Sequence, residues 1–344
     1  MPSSPHQPML PPGFTVRPAT LNDAEAVVDL FNQFSQAKLG LTEASVEETE
    51  KEWGVPGFDM EQDTRLILTP ESQVVGYTDV WAIDETPVHP IVWGRVHPDF
   101  EGRGLGSYLL DWGERRAQDV LERVPAEARV SMHAFTEQNV TEARQLLEDR
   151  GWKPVRYSFR MRVEMQEPPP EPQWPEGIRL RKYDPKRHAR AVYEADTEAF
   201  RDHFGFVEED PETGFERFQH FMTSGESYDP DLWFIAMYGD EIAGLALCRK
   251  WGYDDKESGW ISSLAVRRPW RRRGLGTALL LHCFGAFYQR GKRKVGLGVD
   301  GQNLTGALGL YERVGMKVYR RWDRYEKELR PGVELSTTQL AEAE

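Results

Sequence analysis

The sequence predicts an α/β fold present twice, two mixed sheets with flanking helices in tandem. Three observations predict it. The chain has 344 residues, more than one hydrophobic core usually serves. A proline-rich run, QEPPPEPQWP at 166–175, interrupts it near the midpoint; prolines at this density exclude helix and ladder hydrogen bonds and favour a semi-rigid spacer. The halves on either side repeat one another. Gly104-Leu105-Gly106 recurs 170 residues on as Gly274-Leu275-Gly276. Asn139 recurs as Asn303, Gly151 as Gly315, and Val16-Arg17-Pro18 as Leu180-Arg181-Lys182, each 164 residues on. The changing offset puts one small insertion in each half. The expected divisions are 14–165, a linker at 166–177, a second unit at 178–330, and an acidic tail at 331–344 that ends in AEAE.

Each half opens with a short strand (14–18; 178–182), followed by helical stretches (21–38; 185–200). In the second half, alternation and β-branched content then give strands at 232–238, 241–250 and 259–266. After the GLG turn comes a helix with Leu275, Ala278, Leu279, His282, Cys283 and Phe287 at spacings mostly of three and four. A strand at 294–299, a helix opening at Asn303 and two closing strands complete the unit. Strands surrounding a few helices in this order imply a mixed sheet with helices on its faces. The first dozen residues, rich in Pro and Ser, are expected to be disordered.

With 39% hydrophobic and 29% charged residues the composition is that of a soluble globular protein. It contains no apolar run of membrane-spanning length and no secretory leader, so no membrane partner is expected. Two cysteines, Cys248 and Cys283, in apolar surroundings give no disulfide framework and point to a reducing cytoplasm. The net charge of −13 argues against nucleic acid as a partner. It is compatible with a cationic small molecule, although acidity alone serves solubility. No metal site is expected.

Residues 263–277, SLAVRRPWRRRGLGT, are the most informative. A strand ends, a basic turn follows, and two glycines open a helix. Free N–H groups at a helix start, with the helix dipole, form an anion site the size of a pyrophosphate. Glycines let the phosphates approach the backbone. Arg271, Arg272 and Arg273 add charge at the rim, and Leu275 and Thr277 contribute backbone N–H groups. No Gly-Lys-Ser/Thr follows, which disfavours a P-loop, and Leu279 stands where a dinucleotide fingerprint has its third glycine.

Arg271-x-x-Gly274-x-Gly276, then Asn303, Tyr311 eight residues later, and Gly315, together resemble the GNAT superfamily of N-acetyltransferases. The resemblance covers 178–329 and again 14–164, and the layout resembles tandem acetyltransferases of the mycothiol synthase kind. It implies two tandem folds, each with a mostly antiparallel mixed sheet, and acetyl-CoA as the cofactor. It further implies that the strand before the motif and the strand after its helix splay apart around pantetheine. Leu264 and Val266 would then offer backbone groups, and Val266 or its neighbour the oxyanion N–H. Asn303 belongs to the same cofactor-binding set.

The resemblance implies direct attack of an amine on acyl-CoA, with positioning supplying much of the rate. An aliphatic amine must lose a proton before it attacks, and the leaving thiolate must gain one. A tyrosine on the helix after the fifth strand often donates it, and Tyr311 stands there. Packing is the alternative for Tyr311, which shares an apolar face with Leu304, Ala307, Leu308 and Val314. The first half has Leu147 at the matching place and Glu101 where the family has Gln or Arg. That half is expected to be non-catalytic, with Gly104, Gly106 and Ser107 as its candidate cofactor contacts. Glu257, just before the motif strand, is the candidate base, and a solvated turn is its alternative.

In the second half the acceptor region combines Phe200, Phe204, Phe215 and Phe218 with Glu208, Glu209, Asp210, Glu212 and Glu216. It reads either as an aromatic core with a solvated acidic face or as an aromatic pocket suited to a cationic amine. The leading expectation is an N-acetyltransferase acting on a small-molecule amine. A non-catalytic acyl-CoA sensor and a protein N-acetyltransferase are the alternatives.

Overall fold

A computed structural model describes residues 9–252, 254–302 and 306–338. The first eight residues, Asn303, Leu304 and residues 339–344 with the whole AEAE end therefore lie outside the described residues, and so do the expectations placed on them. In chain order the elements of the first half are β1 Thr15–Arg17, α1 Ala24–Leu39, α2 Val46–Trp53, α3 Met60–Asp63, β2 Thr64–Leu68, β3 Val74–Trp81, β4 Ile91–Val96, α4 Leu105–Ala117, β5 Val130–Glu137, α5 Thr141–Asp149 and β6 Lys153–Glu164. The second half supplies β7 Ile178–Lys182, α6 Pro185–Phe200, α7 Pro211–Thr223, β8 Tyr228–Tyr238, β9 Glu241–Arg249, β10 Ser258–Val266, α8 Leu275–Gln289, β11 Lys294–Asp300, α9 Ala307–Arg313 and β12 Lys317–Arg330. The repeat in sequence is thus a repeat in structure. No helix among the described residues is long and apolar enough to cross a membrane.

Local chemistry explains the helix boundaries. Asp184 and Asp210 accept backbone N–H groups at the starts of α6 and α7, each followed by Pro at the first helical position. Gly40 ends α1 in the left-handed conformation that a side chain resists.

The chain forms two compact units, residues 1–155 with 323–335 and residues 156–322 with 336–344. In the first, strand order is β1-β2-β3-β4-β5, with the later part of β12 beside β5; in the second it is β7-β8-β9-β10-β11, with β6 beside β11. Within each unit the first four strands pair antiparallel. The fifth joins in parallel. In the second unit β6 closes the sheet antiparallel to β11, from Lys294↔Glu164 to Asp300↔Ser158.

Two expectations differ here. Each half was expected to end in two closing strands, and each instead ends in one long strand. The run from Lys317 to Arg330 contains no Gly, Pro or Asn to turn the chain. The compact units also depart from a division at the proline run, because residues 156–165 belong with the second unit and 323–330 with the first.

The second unit has two cores. Trp233, Ile235, Leu245, Leu247 and Ala265 pack with Val192, Ala195 and Ala199 of α6. Ala243, Ile261, Leu275, Leu279, Phe284, Phe287, Val295 and Tyr311 form the other, with α8. Cys248 and Cys283 are buried in the latter as free thiols.

Candidate active site

The two units present the same backbone device. β10 and β11 are in register from Ser258↔Lys294 to Ile261↔Leu297 and pair no further, although both strands continue. In the first unit β4 and β5 pair only at Ile91↔His133. Each pair therefore opens toward its C-terminal end, leaving a strand edge without a ladder partner.

Hydrogen-bond alternation shows which backbone groups face the opening. The Arg267 N–H bonds to the Ala243 carbonyl at 3.1 Å, so residues 267, 265 and 263 direct their backbone groups toward β9. Those of Leu264 and Val266 face the gap. The Val266 carbonyl accepts the Arg271 Nε–H at 2.9 Å, which leaves the Val266 N–H as the donor on that edge.

α8 begins at the GLG turn. Gly274 has φ 86° and no side chain caps the helix, so the N–H groups of Leu275, Gly276 and Thr277 lie open at its positive end. Gly104 has φ 83° and starts α4 in the same way, ahead of Gly106 and Ser107. Two residues earlier the backbone again matches, with Gly102 at φ 73° and Arg272 at 61°. Holding Arg272 left-handed costs about 1–2 kcal/mol, which marks the turn's shape as fixed by its surroundings. A Cβ on Gly276 would lie 3.1 Å from Leu310 and 3.8 Å from Val266, so turn, strand edge and α9 converge here.

The three arginines of the turn separate into two roles. Arg272 and Arg273 are exposed and have no ion pair among the described residues, leaving them as rim charges. Arg271 is committed inward: its guanidinium bonds to Asp202 Oδ2 at 2.6 Å, to the Ala199 carbonyl at 3.1 Å and to the Val266 carbonyl. Asp202, almost fully buried, also accepts from Arg268. These hydrogen bonds, that from Arg268 foremost, hold its carboxyl at about 2. Arg271 is thus a brace of the turn.

In the first unit Glu101 occupies the place of Arg271, and its carboxylate is bound by Lys38 at 2.8 Å. Lys38 also holds Glu142 at 3.0 Å. Glu101, Glu142, Gly104, Gly106, Ser107 and Leu147 line a cavity of about 820 Å³ between the parted strands. Its size and its uncapped helix start fit a pantetheine-diphosphate ligand.

Tyr311 lies on α9, 8% exposed, in the same cluster as Leu275 and Val299, against which Leu264 and Val266 pack. Burial raises its hydroxyl to about 12, and the hydroxyl has no hydrogen-bond partner among the described residues. Leu147 of the first unit is buried at the equivalent point of α5.

Glu257 is not brought to this site. It is exposed in the turn before β10, its N–H bonded to Asp255 at 2.9 Å. That end of β10 is still paired with β11, and a strand of this length puts it roughly 30 Å from Val266. Its neighbours are also occupied: Asp254 accepts from Tyr319 at 2.9 Å and Arg320 at 3.0 Å. Sequence reasoning missed two acids that the structure does place close by, Asp202 and Asp196. Asp196 is on α6 and accepts a hydrogen bond from Ser263 of β10. The residue keeps some exposure, yet its carboxyl lies at depth, and burial raises it to about 6 against the Ser263 bond that lowers it. The expected acidic mouth is largely neutralised, since Glu208 pairs with Arg201, Glu209 with Arg217 and Glu212 with Arg190.

Comparison with known proteins agrees with this geometry. The family model described as "Acetyltransferase (GNAT) family" matches residues 27–151 and 189–316. A mycothiol acetyltransferase of Thermobispora bispora is 31% identical over 232 residues, 66% of this chain and 71% of that protein. One from Nocardiopsis dassonvillei is 32% identical over 256 residues, covering 66% and 70%. Among solved structures, a GCN5-related N-acetyltransferase from Sphaerobacter thermophilus superposes with TM-score 0.78 at 39% identity, over 96% of this chain and all of that one. A tandem GNAT protein from the clavulanic acid biosynthesis pathway shares the fold at TM-score 0.69 and 16% identity, over 93% of this chain and all of that one. The chain is an acyltransferase whose cofactor is acetyl-CoA, and it belongs, in both of its halves, to the GNAT acetyltransferase family.

Proposed function

We propose that this enzyme transfers the acetyl group of acetyl-CoA to the amine of a small molecule in a ternary complex, with the chemistry in the second unit. The observation that carries the reading is Tyr311, a buried hydroxyl kept protonated at neutral pH beside the open backbone edge of Leu264 and Val266. The α8 N–H groups with Arg272 and Arg273 hold the diphosphate, the Leu264 and Val266 backbone holds pantetheine, and the Val266 N–H stabilises the oxyanion. When bound, acetyl-CoA supplies a thioester. Tyr311 protonates the departing sulfur, general-acid work worth 10²–10⁴ in rate in typical cases. A small-molecule acceptor is favoured by the mycothiol acetyltransferases among the relatives.

The first unit serves as a second, non-catalytic acetyl-CoA site. Its cavity and uncapped α4 support this, and Leu147 cannot protonate a thiolate. The test is thiol release from acetyl-CoA with a panel of primary amines, with the N-acetyl product identified by mass. Calorimetric CoA stoichiometry is measured alongside. Amine-stimulated thiol release with two CoA per chain is the expected result; thiol release that no amine stimulates would sink the acceptor class.

A further inference from the structure

We propose that Asp196 is the base that takes the acceptor amine's proton, held for that task by Ser263 at the point where β10 and β11 part. The proposal rests on the second unit being the catalytic one.

The position comes from the ladder. The last β10–β11 pair is Ile261↔Leu297, and the register of β10 against β9 shifts between Ile261 and Ser263. A bulge of this kind re-aims side chains at the end of a pairing. Beyond it Ser263 shares a face with Ala265, which packs on the α6 side, while Leu264 and Val266 pack toward α8. Asp196 therefore addresses the gap from the α6 face, whereas Tyr311 belongs to the α8-side cluster. A thioester held between the strands then has its base on one face and its acid on the other. This arrangement lets separate groups serve the attacking nitrogen and the leaving sulfur.

The electrostatics agree. Asp196 has no cationic partner among the described residues, and Ser263 is the one group of β9 and β10 that bonds to it. Other charges around α6 are committed elsewhere: Glu198 to Arg267, Asp202 to Arg268 and Arg271, and α7's Arg217 and Glu212 to Glu209 and Arg190. An unpaired carboxylate at depth is costly unless something cationic arrives. Its titration near 6 suits a base working at neutral pH.

The repeat provides an internal control. Asn32 stands 164 residues before Asp196, and Trp93 stands 170 before Ser263. Asn32 spends its side chain on the loop after α1, accepting from the N–H groups of Glu43 and Ala44 and donating to the Ala44 carbonyl. The unit with Leu147 in place of Tyr311 thus also lacks the acid and the serine. All three differences fall on residues with roles in one reaction.

In that reaction the neutral amine nitrogen forms a bond to the thioester carbonyl carbon while the carbon–sulfur bond breaks. The nitrogen's surplus proton passes to the Asp196 carboxylate, and the Tyr311 proton passes to sulfur. Asp196 then releases its proton to solvent and Tyr311 regains one, which restores the enzyme.

The experiment measures thiol release from acetyl-CoA by the full chain and its Asp196→Asn, Asp196→Glu and Ser263→Ala variants. Ethanolamine, glucosamine, cysteamine and putrescine are the acceptors, over pH 5–9. Protection by CoA against thermal unfolding serves as the folding control. Asp196→Asn is expected to lower kcat about 100-fold, abolish the acid limb near pH 6 and leave the KM for acetyl-CoA unchanged. Asp196→Glu should restore part of the rate, and Ser263→Ala should shift the limb. An Asn variant with the parent's rate and pH profile overturns the proposal, as does one whose only change is a raised KM for acetyl-CoA. If no amine stimulates the parent, the acceptor class fails instead. Asp196 is then judged on acetyl-CoA hydrolysis, where water needs the same base and the same comparison supports or overturns the assignment.

Discussion

Arg271 holds Asp202 at 2.6 Å, and Glu101 and Lys38 occupy the corresponding places of the first unit at 2.8 Å with the charges exchanged. The offsets are those of the repeat, 170 for the turn and 164 for the helix end. One brace is therefore preserved in both copies while its polarity is reversed. The reversal leaves carboxylates, Glu101 and Glu142, bound to Lys38 beside the first turn, while an exposed arginine, Arg103 or Arg273, follows the brace position in both units.

Asp202 ties two arginines of the turn, so its loss should loosen the turn and the fold together. Its carboxyl is depressed from 3.8 to about 2, worth about 2 kcal/mol at neutral pH. The folded value lies below the unfolded one, so this stability is present above about pH 4 and disappears as pH falls through about 2. Asp202→Asn is expected to lower urea stability by about that amount at pH 7, with the gap to the parent closing between pH 4 and 2. A pH-independent gap would mean that packing, and not charge, holds the turn.

A matched pair of substitutions separates the units. A Cβ on Gly276 would meet Leu310 at 3.1 Å, and one on Gly106 would meet Leu146 at 3.2 Å. Both neighbours are flexible side-chain ends, so Gly276→Val and Gly106→Val impose similar folding costs. Both narrow a phosphate site. Acetyl transfer should be lost with Gly276→Val and kept with Gly106→Val, and each variant should lose one CoA from the binding stoichiometry. Equal loss of activity from both would end the division of labour between the units.

Tyr311→Phe should lower kcat about 100-fold or more and leave CoA affinity unchanged. Among the described residues the hydroxyl has no partner to orphan, so stability should change little. Because burial lifts the group to about 12, the parent should show no tyrosine-dependent alkaline limb below pH 10. A fully active Phe variant would reduce Tyr311 to a member of the core.

The fold was legible because duplication prints it twice: turn glycines, helix ends and strand starts recur at two offsets, and one physical explanation serves both copies. The glycine turn that opens α8 was legible for the same reason. Glu257 is close to the motif strand in sequence but not to the site, because a strand carries its two ends roughly 30 Å apart. Arg271 looked like a rim charge because nothing in the sequence names its partner, Asp202, which lies 69 residues earlier. Asp196 left a fainter signal. Differences between copies at Asn32, Trp93 and Leu147, laid on the repeat that reveals the fold, pick out the positions where chemistry departs from packing.

Division at the proline run should not yield two independent folds. The first unit includes residues 323–335, and these supply Glu326, Glu328 and Glu334 to Arg129 at 2.5, 3.1 and 3.1 Å. Glu326 also faces His133 of β5 at 3.5 Å. A fragment of residues 1–172 lacks these partners and leaves the β5 edge uncovered, with an unpaired row of backbone groups that invites aggregation. A fragment of residues 173–344 likewise lacks β6, which closes its own unit along the whole of β11. Each fragment alone is expected to be insoluble or unfolded by circular dichroism. Co-expression of the two should restore a soluble, CoA-binding species, because the missing strands are then supplied in trans. Two fragments that fold separately with cooperative transitions would show that each half completes its sheet by itself, and the strand assignment to the two units would have to be abandoned.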